Sequence, residues 1–325
     1  MAFTCDITPK IASLVAEISK LLGRFGEMGA PPPEPKLRRT ALAKSLHSTA
    51  AIEGNTLSVD QVEAILDGRP VPSKHPREVL EVRSAAAAYA RASNFNPWSI
   101  KDFLSAHKIM MSQLVNDGGK FRSGQAGVWQ DGKVRHMAPP AKRVPTLIDD
   151  LLENLAKAND MPLLVRAAIV HYEIEFIHPF SDGNGRMGRL WQHVVLLRES
   201  PAFEYCPFES VIYARQSAYY KALRAADRLG NAAPFVEFAL DALKVALEEV
   251  IGSLRPRKST PSDRLGQAHQ AFGMQKFSRK DYLRRFPEIS TATASRDLAS
   301  AVADGALVME GEKALARYHF KKAAP

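Results

Sequence analysis

The stretch from His178 to Arg189 constrains the fold more than any other, because it is polar and rich in glycine yet lies between two apolar segments. It reads HPFSDGNGRMGR in one-letter code. Apolar side chains recur at helical spacing upstream, over residues 162–176, and again downstream, over residues 190–197. This periodicity predicts two buried helices. The polar stretch is therefore predicted to be a loop that runs into the first turn of the second helix.

This placement favours the binding of an anion. A helix begins with unpaired N–H groups and a partial positive charge. Gly183 and Gly185 would allow a phosphate to approach the backbone closely. Arg186 and Arg189 stand three residues apart, so they project from the same side of the helix and both can reach one polyphosphate.

Two further side chains of the loop suit phosphate chemistry. Asp182 provides the single carboxylate that Mg²⁺ commonly takes from a protein when phosphate oxygens and water fill its other positions. His178, four residues earlier, is the natural general base. Neither common nucleotide-binding motif is present, because no Gly-Lys-Ser/Thr closes a P-loop and no GxGxxG opens a βαβ unit.

The stretch closely resembles the signature of the Fic family, written HPFx(D/E)GNGRxxR, and matches it at every specified position. The resemblance implies an all-α fold, a Fic-type helical bundle with a small β-hairpin flap. It also implies a protein adenylyltransferase, which moves AMP from ATP to the hydroxyl of a Ser, Thr or Tyr side chain in a protein. One relative, the Doc type, phosphorylates instead and has Lys where Gly185 stands, so this chain reads as a nucleotidyltransferase.

The resemblance also implies roles for the residues of the loop. His178 would take the proton of the hydroxyl, and Asp182 would hold Mg²⁺ between the α- and β-phosphates. Asn184 and the backbone N–H groups around the glycines would fix the phosphates, and the two arginines would neutralise the charge on the leaving pyrophosphate. The implied ATP-binding residues in the loop are Asp182, Gly183, Asn184, Gly185, Arg186 and Arg189.

An N-terminal helical region is predicted over residues 1–110, with one of its helices over residues 36–53. The end of that helix is similar to the Fic inhibitory motif (S/T)xxxE(G/N), matched by Thr49, Glu53 and Gly54. In such relatives the glutamate pairs with the second arginine of the loop, here Arg189, and displaces the γ-phosphate. The resemblance therefore implies a self-restrained enzyme with an inhibitory helix near 40–54. The same residues also fit an ordinary helix end that is capped by glycine.

Helical periodicity lapses over residues 121–134, where Asp131-Gly132 predicts a hairpin turn. In Fic proteins a hairpin flap occupies this place and aligns the target segment by strand-like pairing. The flap candidates are Val128, Trp129, Gln130 and Asp131. Packing of Trp129 on the helices is the alternative interpretation.

Downstream of the loop, residues 213–227 are predicted to form one helix within a Fic catalytic domain over residues 111–252. In relatives a Tyr-Tyr pair and an Asn seven residues later hold the adenosine. The corresponding residues here are Tyr219, Tyr220 and Asp227. Because a carboxylate replaces the amide, the base preference stays open, although a carboxylate can still accept a hydrogen bond from the adenine amine.

A linker is predicted over residues 253–262. Residues 263–325 then read helix, turn, helix and a short strand pair, which resembles a winged helix. Its basic residues are compatible with DNA as a partner and include Lys276, Arg279, Lys280, Arg284, Arg285 and Arg296. Contact with a protein, including a second copy of this chain in a homodimer, is the competing interpretation.

The composition predicts a cytoplasmic protein that does not enter a membrane. Of the 325 residues, 46% are hydrophobic and 24% are charged, which is enough for two or three domains with cores of their own. No stretch has the length of a membrane span, and the first residues lack the basic start of a signal peptide. The two cysteines cannot form a disulfide framework, which favours a reducing compartment. The net charge of +9 is compatible with acidic partners.

The predicted partners are thus ATP, a target protein, this chain itself through self-modification, and DNA.

Two other functions use the same residues. One is removal of AMP from a modified protein, with Glu53 orienting the attacking water. The other is a DNA-binding regulator whose Fic domain only senses nucleotide. The intact set of catalytic residues disfavours the regulator, because a sensor has no need of the base His178.

Overall fold

The computed structural model describes residues 4–27, 35–72, 76–130, 133–254, 260–311 and 315–321. Most of these residues lie in helices. The chain divides into two compact units, with the boundary between Gly252 and Ser253. The helices of the first unit are α1 (Pro9–Glu27), α2 (Pro35–Ile52), α3 (Val59–Leu66), α4 (Pro76–Tyr89), α5 (Ile100–Met110), α6 (Val144–Lys157), α7 (Leu163–Ile177), α8 (Asn184–Glu199), α9 (Phe208–Ala214), α10 (Gln216–Leu229) and α11 (Ala233–Leu254). The all-α class predicted from the sequence is confirmed.

The antiparallel pair α7 and α8 lies at the centre of the first unit. Helix α7 is buried on nearly all sides, as Val165, Ile169 and Val170 illustrate. A helix that is apolar around its whole circumference belongs in a core. The two helices approach closely at Gly188, where a Cβ would lie 2.6 Å from Cδ2 of the His171 ring. This pair fixes both ends of the polar loop.

The N-terminal helices pack on this centre. Helix α1 contacts α7, and α2 contacts α3, α4, α8 and α9. Helix α3 begins with a capping box formed by Ser58 and Gln61. The boundary predicted between residues 110 and 111 falls at the end of α5, inside the first unit. Residues far upstream of the polar loop therefore share one core with it.

One helix boundary was predicted wrongly. The segment 213–227 is not a single helix, because α9 ends at Ala214 and α10 begins at Gln216. The residue between them, Arg215, leaves the helical conformation with φ −116° and ψ 32°. Helix α9 is short and turns Val211 and Ile212 into the core, whereas α10 buries Tyr219 and Ala226. The helical periodicity is nearly continuous across the break, so it did not reveal the change of direction.

A hairpin stands between α5 and α6, as the sequence predicted. Strand β1 (Gly127–Gln130) pairs antiparallel with β2 (Lys133–Met137), and the register shifts between Val128 and Trp129. Three of the four flap candidates lie in β1, and Asp131 lies outside the described residues. The N–H group of Ala138 donates to the carbonyl of Ala126 (3.2 Å) and extends the pairing past the strands. Strand β2 contacts α10.

The second unit contains α12 (Pro261–Phe272), α13 (Arg279–Arg285), α14 (Thr291–Ala303), β3 (Leu307–Glu310) and β4 (Arg317–Phe320). The two strands pair antiparallel, with Leu307 opposite Phe320. The core of this unit includes Phe277, Tyr282 and Leu298. A buried ion pair of Arg264 with Asp297 (2.7 Å) connects α12 to α14.

Within the described ranges, we find no helix that combines the length and the hydrophobicity of a transmembrane span.

Candidate active site

The polar loop turns between two residues with left-handed backbone. His178 caps the C-terminus of α7 with φ 51° and ψ 61°, a conformation that is uncommon outside glycine, although histidine is among the residues enriched there. Gly183 precedes α8 with φ 84°, and a Cβ at this position would lie 2.6 Å from Sδ of Met111. Both the backbone conformation and the close contact require glycine at position 183.

The side chain of Asn184 holds the loop in shape. It is 3% exposed, its Nδ2 donates to the carbonyl of Phe180 (3.0 Å), and its Oδ1 accepts from the N–H group of Phe180 (2.8 Å). Phe180 is fully buried and stacks on the ring of His107, with 3.6 Å between ring centroids. These contacts give Asn184 a structural role in the loop, in addition to the phosphate contact that the resemblance predicts.

His107 supports the loop through the two hydrogen bonds of its ring nitrogens. Its Nδ1 accepts a hydrogen bond from the N–H group of Gly119 (2.9 Å), so Nε2 carries the proton and donates to the carbonyl of Asp182 (3.0 Å). Burial lowers the pKa of His107 to about 4, and the ring is therefore neutral at pH 7. A neutral ring satisfies both bonds at once.

Asp182 lies at the open rim of the loop, with its side chain 46% exposed. Its Oδ1 accepts from the N–H group of Gly183 (2.6 Å) and from Nη2 of Arg186 (3.2 Å), and its Oδ2 lies 3.9 Å from Nη2 of Arg77. In the part of the chain that the structure describes, no group of three or more His, Cys, Asp or Glu side chains could hold a metal ion. One accessible carboxylate fits a magnesium ion that reaches the protein together with phosphate oxygens.

Arg189 is buried between α8 and α2, with 1% exposure. Its Nε donates to Oγ1 of Thr49 (2.8 Å), and its Nη2 donates to the carbonyl of Thr49 (3.2 Å) and to Oε1 of Glu53 (2.6 Å). Burial alone would lower the pKa of Arg189, but the negative charge of Glu53 raises it above its ordinary value. The pair predicted from the inhibitory motif is therefore present in the structure, and both other matched positions of that motif lie beside it.

The carboxylate of Glu53 occupies the space above the first turn of α8. A Cβ at Gly185 would lie 2.6 Å from Oε1 of Glu53 and 3.2 Å from Oε1 of Glu175. Glycine at position 185 therefore makes room for the carboxylate of Glu53. A carboxylate at the start of a helix is stabilised by the N–H groups and the partial positive charge there.

The three predicted adenosine contacts lie on α10, but in different surroundings. Tyr219 is 1% exposed, whereas Tyr220 is half-buried. Burial, followed by the charge of Glu53, raises the pKa of Tyr220. Asp227 accepts a hydrogen bond from the hydroxyl of Tyr172 (3.0 Å). The structure thus joins both Tyr219 and Asp227 to α7, through Glu175 and Tyr172 respectively.

Sequence reasoning did not single out Glu175, His107 or Arg122. Glu175 stands about one helical turn before His178, and its carboxylate accepts a hydrogen bond from the Tyr219 hydroxyl (3.0 Å), so that spacing could have identified it. His107 lies 75 residues from the Asp182 carbonyl that it binds, and Arg122 lies 56 residues from the His178 carbonyl that it binds. No local pattern marks either of them.

Comparison with known proteins agrees with this geometry. The sequence model of the Fic/DOC family matches residues 97–196. The curated protein adenylyltransferase fic-1 of Caenorhabditis briggsae is 32% identical over 220 residues, which are 65% of this chain and 41% of that protein. The fic-1 protein of Caenorhabditis elegans is 30% identical with the same coverage. The chain thus spans about two-fifths of the length of these curated relatives.

Two solved structures extend the comparison. Fic-1 of C. elegans superposes with a TM-score of 0.61 at 27% identity, covering 75% of this chain and 73% of that one. A Fic family protein from Desulfovibrio desulfuricans G20 superposes with a TM-score of 0.76 at 37% identity, and the match covers 100% of both chains. Because this Fic family protein is 37% identical and the match covers the whole of both chains, this chain belongs to the Fic family.

Proposed function

We propose that this protein is a protein adenylyltransferase that transfers AMP from ATP to a side-chain hydroxyl of a target protein. The observation that carries the proposal is the loop itself, with its base, its carboxylate and two arginines at the start of α8, restrained by Glu53 at 2.6 Å from Arg189. The curated relatives that share about 30% identity bear the name protein adenylyltransferase.

The proposed reaction is a displacement at the α-phosphorus of ATP. His178 removes the proton of the target hydroxyl while the oxygen of that hydroxyl bonds to the α-phosphorus. The bond from the α-phosphorus to the oxygen that bridges to the β-phosphate breaks, and pyrophosphate leaves. Arg186 and Arg189 offset the negative charge that develops on this leaving group. Positioning and charge stabilisation supply most of the rate in chemistry of this kind.

Magnesium belongs to this proposal as the ion that accompanies ATP. Asp182 is the residue that would hold it, because its carboxylate is accessible at the rim of the loop. When bound, the ion would neutralise charge on the α- and β-phosphates. The backbone N–H groups at the start of α8 would contact the same phosphates.

The restraint is also part of the proposal. Glu53 satisfies Arg189 and places a negative charge where the γ-phosphate would bind. ATP must therefore displace this carboxylate before its phosphates reach the productive position. The interaction of Arg189 with Thr49 holds the end of α2 in place, so that the carboxylate is well positioned to compete.

The test uses ATP labelled on the α-phosphate, with Mg²⁺, and three forms of the chain. We expect covalent label on the Glu53→Gly chain through self-modification, little on the wild-type chain and none on the Glu53→Gly, His178→Ala chain. Label on the Glu53→Gly, His178→Ala chain would contradict the assignment of His178 as the base. Equal label on the wild-type and Glu53→Gly forms would contradict the restraint, and no label on any form, or on added candidate targets, would contradict transfer.

Hydrolytic removal of AMP is the second candidate function. The Glu53 side chain is 35% exposed while it is bound to Arg189, so it can orient a water molecule at the same site. Labelled Glu53→Gly chain, freed of ATP and mixed with unlabelled wild-type chain, tests this function. Release of labelled AMP that depends on Glu53 would support it, and retention of the label would exclude it for this substrate.

We propose a winged helix for the second unit and DNA as its partner. Helices α13 and α14 followed by the β3–β4 hairpin support this fold, and the exposed side chains of Lys280, Arg284 and Arg296 provide the charge. A salt-dependent shift of a labelled DNA duplex by the full chain tests the partner.

We propose the cytoplasm as the location, because Cys5 and Cys206 are both free.

A further inference from the structure

Arg122 is an almost completely buried arginine at the foot of the β1–β2 hairpin, with 5% exposure. Its Nε donates to the carbonyl of His178 (2.7 Å), its Nη1 to the carbonyl of Gly124 (2.8 Å), and its Nη2 to the carbonyls of Pro139 (2.6 Å) and Ile177 (3.3 Å). Its own N–H group donates to the carbonyl of Pro179 (3.0 Å). One side chain therefore gathers carbonyl groups from three segments of the chain.

These segments are the two legs of the hairpin and the end of α7. Gly124 precedes β1 and Pro139 follows β2, so the guanidinium spans the opening of the hairpin. The legs are also joined directly by the hydrogen bond from Ala138 to Ala126 (3.2 Å). The third segment is the turn that carries His178. The hairpin and the base are thus fixed to the same rigid planar group.

The electrostatics of this position favour a cation. The last carbonyl groups of a helix have no partners within the helix and carry a partial negative charge. The carbonyls of Ile177 and His178 are at this end of α7. Burial lowers the pKa of Arg122 from its ordinary value, but a guanidinium remains protonated in proteins. Arg122 therefore stabilises the end of the helix while it holds the hairpin.

The backbone of His178 needs such support. A non-glycine residue with left-handed φ and ψ persists only where its surroundings fix it. The hydrogen bond from Arg122 to the His178 carbonyl, together with the bond from the His178 N–H group to the carbonyl of Ile174 (2.9 Å), fixes the peptide groups on both sides of this residue. The direction of the imidazole follows from the backbone that carries it.

We propose that Arg122 is a positioning residue that sets the distance between the hairpin and the imidazole of His178. This proposal rests on the proposed function, in which His178 takes the proton of the target hydroxyl, and on the role that the Fic resemblance implies for the hairpin, which is to align the target segment. A target that pairs with the hairpin then brings its hydroxyl to the base because Arg122 holds the two in register. Lysine cannot replace it, since a single ammonium group cannot span carbonyls in several directions.

The kinetic test compares Arg122→Lys with its parent, both in the Glu53→Gly chain. We expect the initial rate of self-labelling at saturating ATP to fall by about tenfold or more, as loss of charge-assisted hydrogen bonds implies. The KM for ATP should change by less than about threefold, because Arg122 contacts no part of the proposed phosphate site. A rate within about twofold of the parent, or an equal loss of ATP affinity, would overturn the proposal.

A matched control comes from Arg166, an arginine of the same unit that joins α7 to α6 by a bond from Nη1 to the carbonyl of Leu155 (3.0 Å). Arg166→Lys should leave the labelling rate unchanged. In the Glu53→Gly, Arg122→Ala chain, ethylguanidinium should restore labelling and ethylammonium should not. Equal restoration by both cations would show that charge alone is needed, and would refute the positioning role.

Hydrogen exchange tests the same link without any activity. In the Arg122→Lys chain, exchange of the Ala138 amide and of the His178 amide should accelerate together, each by about tenfold. In the Arg166→Lys chain neither should change. Acceleration of only one of the two amides would refute the link between hairpin and base. If the Glu53→Gly parent takes no label, the proposed function fails, and this measurement still decides the role of Arg122.

Discussion

Glu53→Gln is the most informative single change, because it keeps the size of the side chain and removes its charge. Arg189 would keep its bonds to Thr49, but its contact with position 53 would weaken from an ion pair to a hydrogen bond between the charged guanidinium and a neutral amide oxygen. We expect two effects of opposite sign. The folded protein becomes less stable without nucleotide, and its affinity for ATP rises.

The magnitude follows from the burial of the two partners. Breaking a fully buried ion pair costs about 3–5 kcal/mol, but Glu53 is 35% exposed while Arg189 is 1% exposed. A hydrogen bond to a charged group contributes about 1.5–3 kcal/mol, and we take about 2 kcal/mol for this pair. This lowers the melting temperature of the first unit by about 4–8 °C. The same energy no longer opposes the γ-phosphate, so ATP should bind roughly 30-fold more tightly.

The assay combines thermal unfolding with equilibrium binding of ATP and ADP in the presence of Mg²⁺. Tryptophan fluorescence is the suitable probe, because Trp98, Trp129 and Trp191 all lie in the first unit. Saturating ATP, at about 100 times its Kd, should return about 2.7 kcal/mol of stability to the variant. ADP lacks the γ-phosphate, so its affinity should change by less than about threefold.

A matched control is Glu204→Gln, which removes a carboxylate that pairs with Arg38 of α2 (3.1 Å) and not with Arg189. Its affinity for ATP should equal that of the wild type. The interpretation of Glu53 as a competitor of the γ-phosphate is refuted if Glu53→Gln binds ATP no better than the wild type, or if ADP gains as much affinity as ATP.

The remaining predictions concern stability. Gly188→Ala should destabilise the first unit by about 1–3 kcal/mol, since its Cβ would lie 2.6 Å from the His171 ring; Gly23→Ala, in open space within α1, should instead stabilise it by about 0.5–1 kcal/mol. Burial lowers the pKa of His107 to about 4, so its contribution is complete above the unfolded pKa of about 6.5 and declines as the pH falls towards 4, by about 1.4 kcal/mol per pH unit. Urea unfolding of His107→Gln should therefore show a shallower loss between these pH values, and an unchanged slope would contradict the neutral ring. Arg264→Ala removes one partner of the buried ion pair in the second unit, and it should lower the stability of that unit by about 3–5 kcal/mol, measured by hydrogen exchange in α12 and α14; unchanged exchange would show that the pair is not stabilising.

The sequence was sufficient for the loop because its information is local. Apolar residues at helical spacing predicted α7 and α8, and the residue types between them predicted the base, the carboxylate and the anion-binding start of a helix. The predicted end of α2 at residue 53 is confirmed within one residue. The break between α9 and α10 was missed, because the periodicity on its two sides is nearly continuous.

The sequence by itself determined the helical class, the family signature and the chemistry of the loop, since these depend on spacing within a few helical turns. Only the tertiary structure decided which distant residues complete the site. The pair of Glu53 with Arg189, 136 residues apart, was predicted from the inhibitory motif and is present in the structure. The structure alone showed the neutral His107 that supports the loop and the link from the hairpin to His178 through Arg122. Such contacts depend on how helices pack in three dimensions, and neither side-chain type nor local spacing specifies that packing.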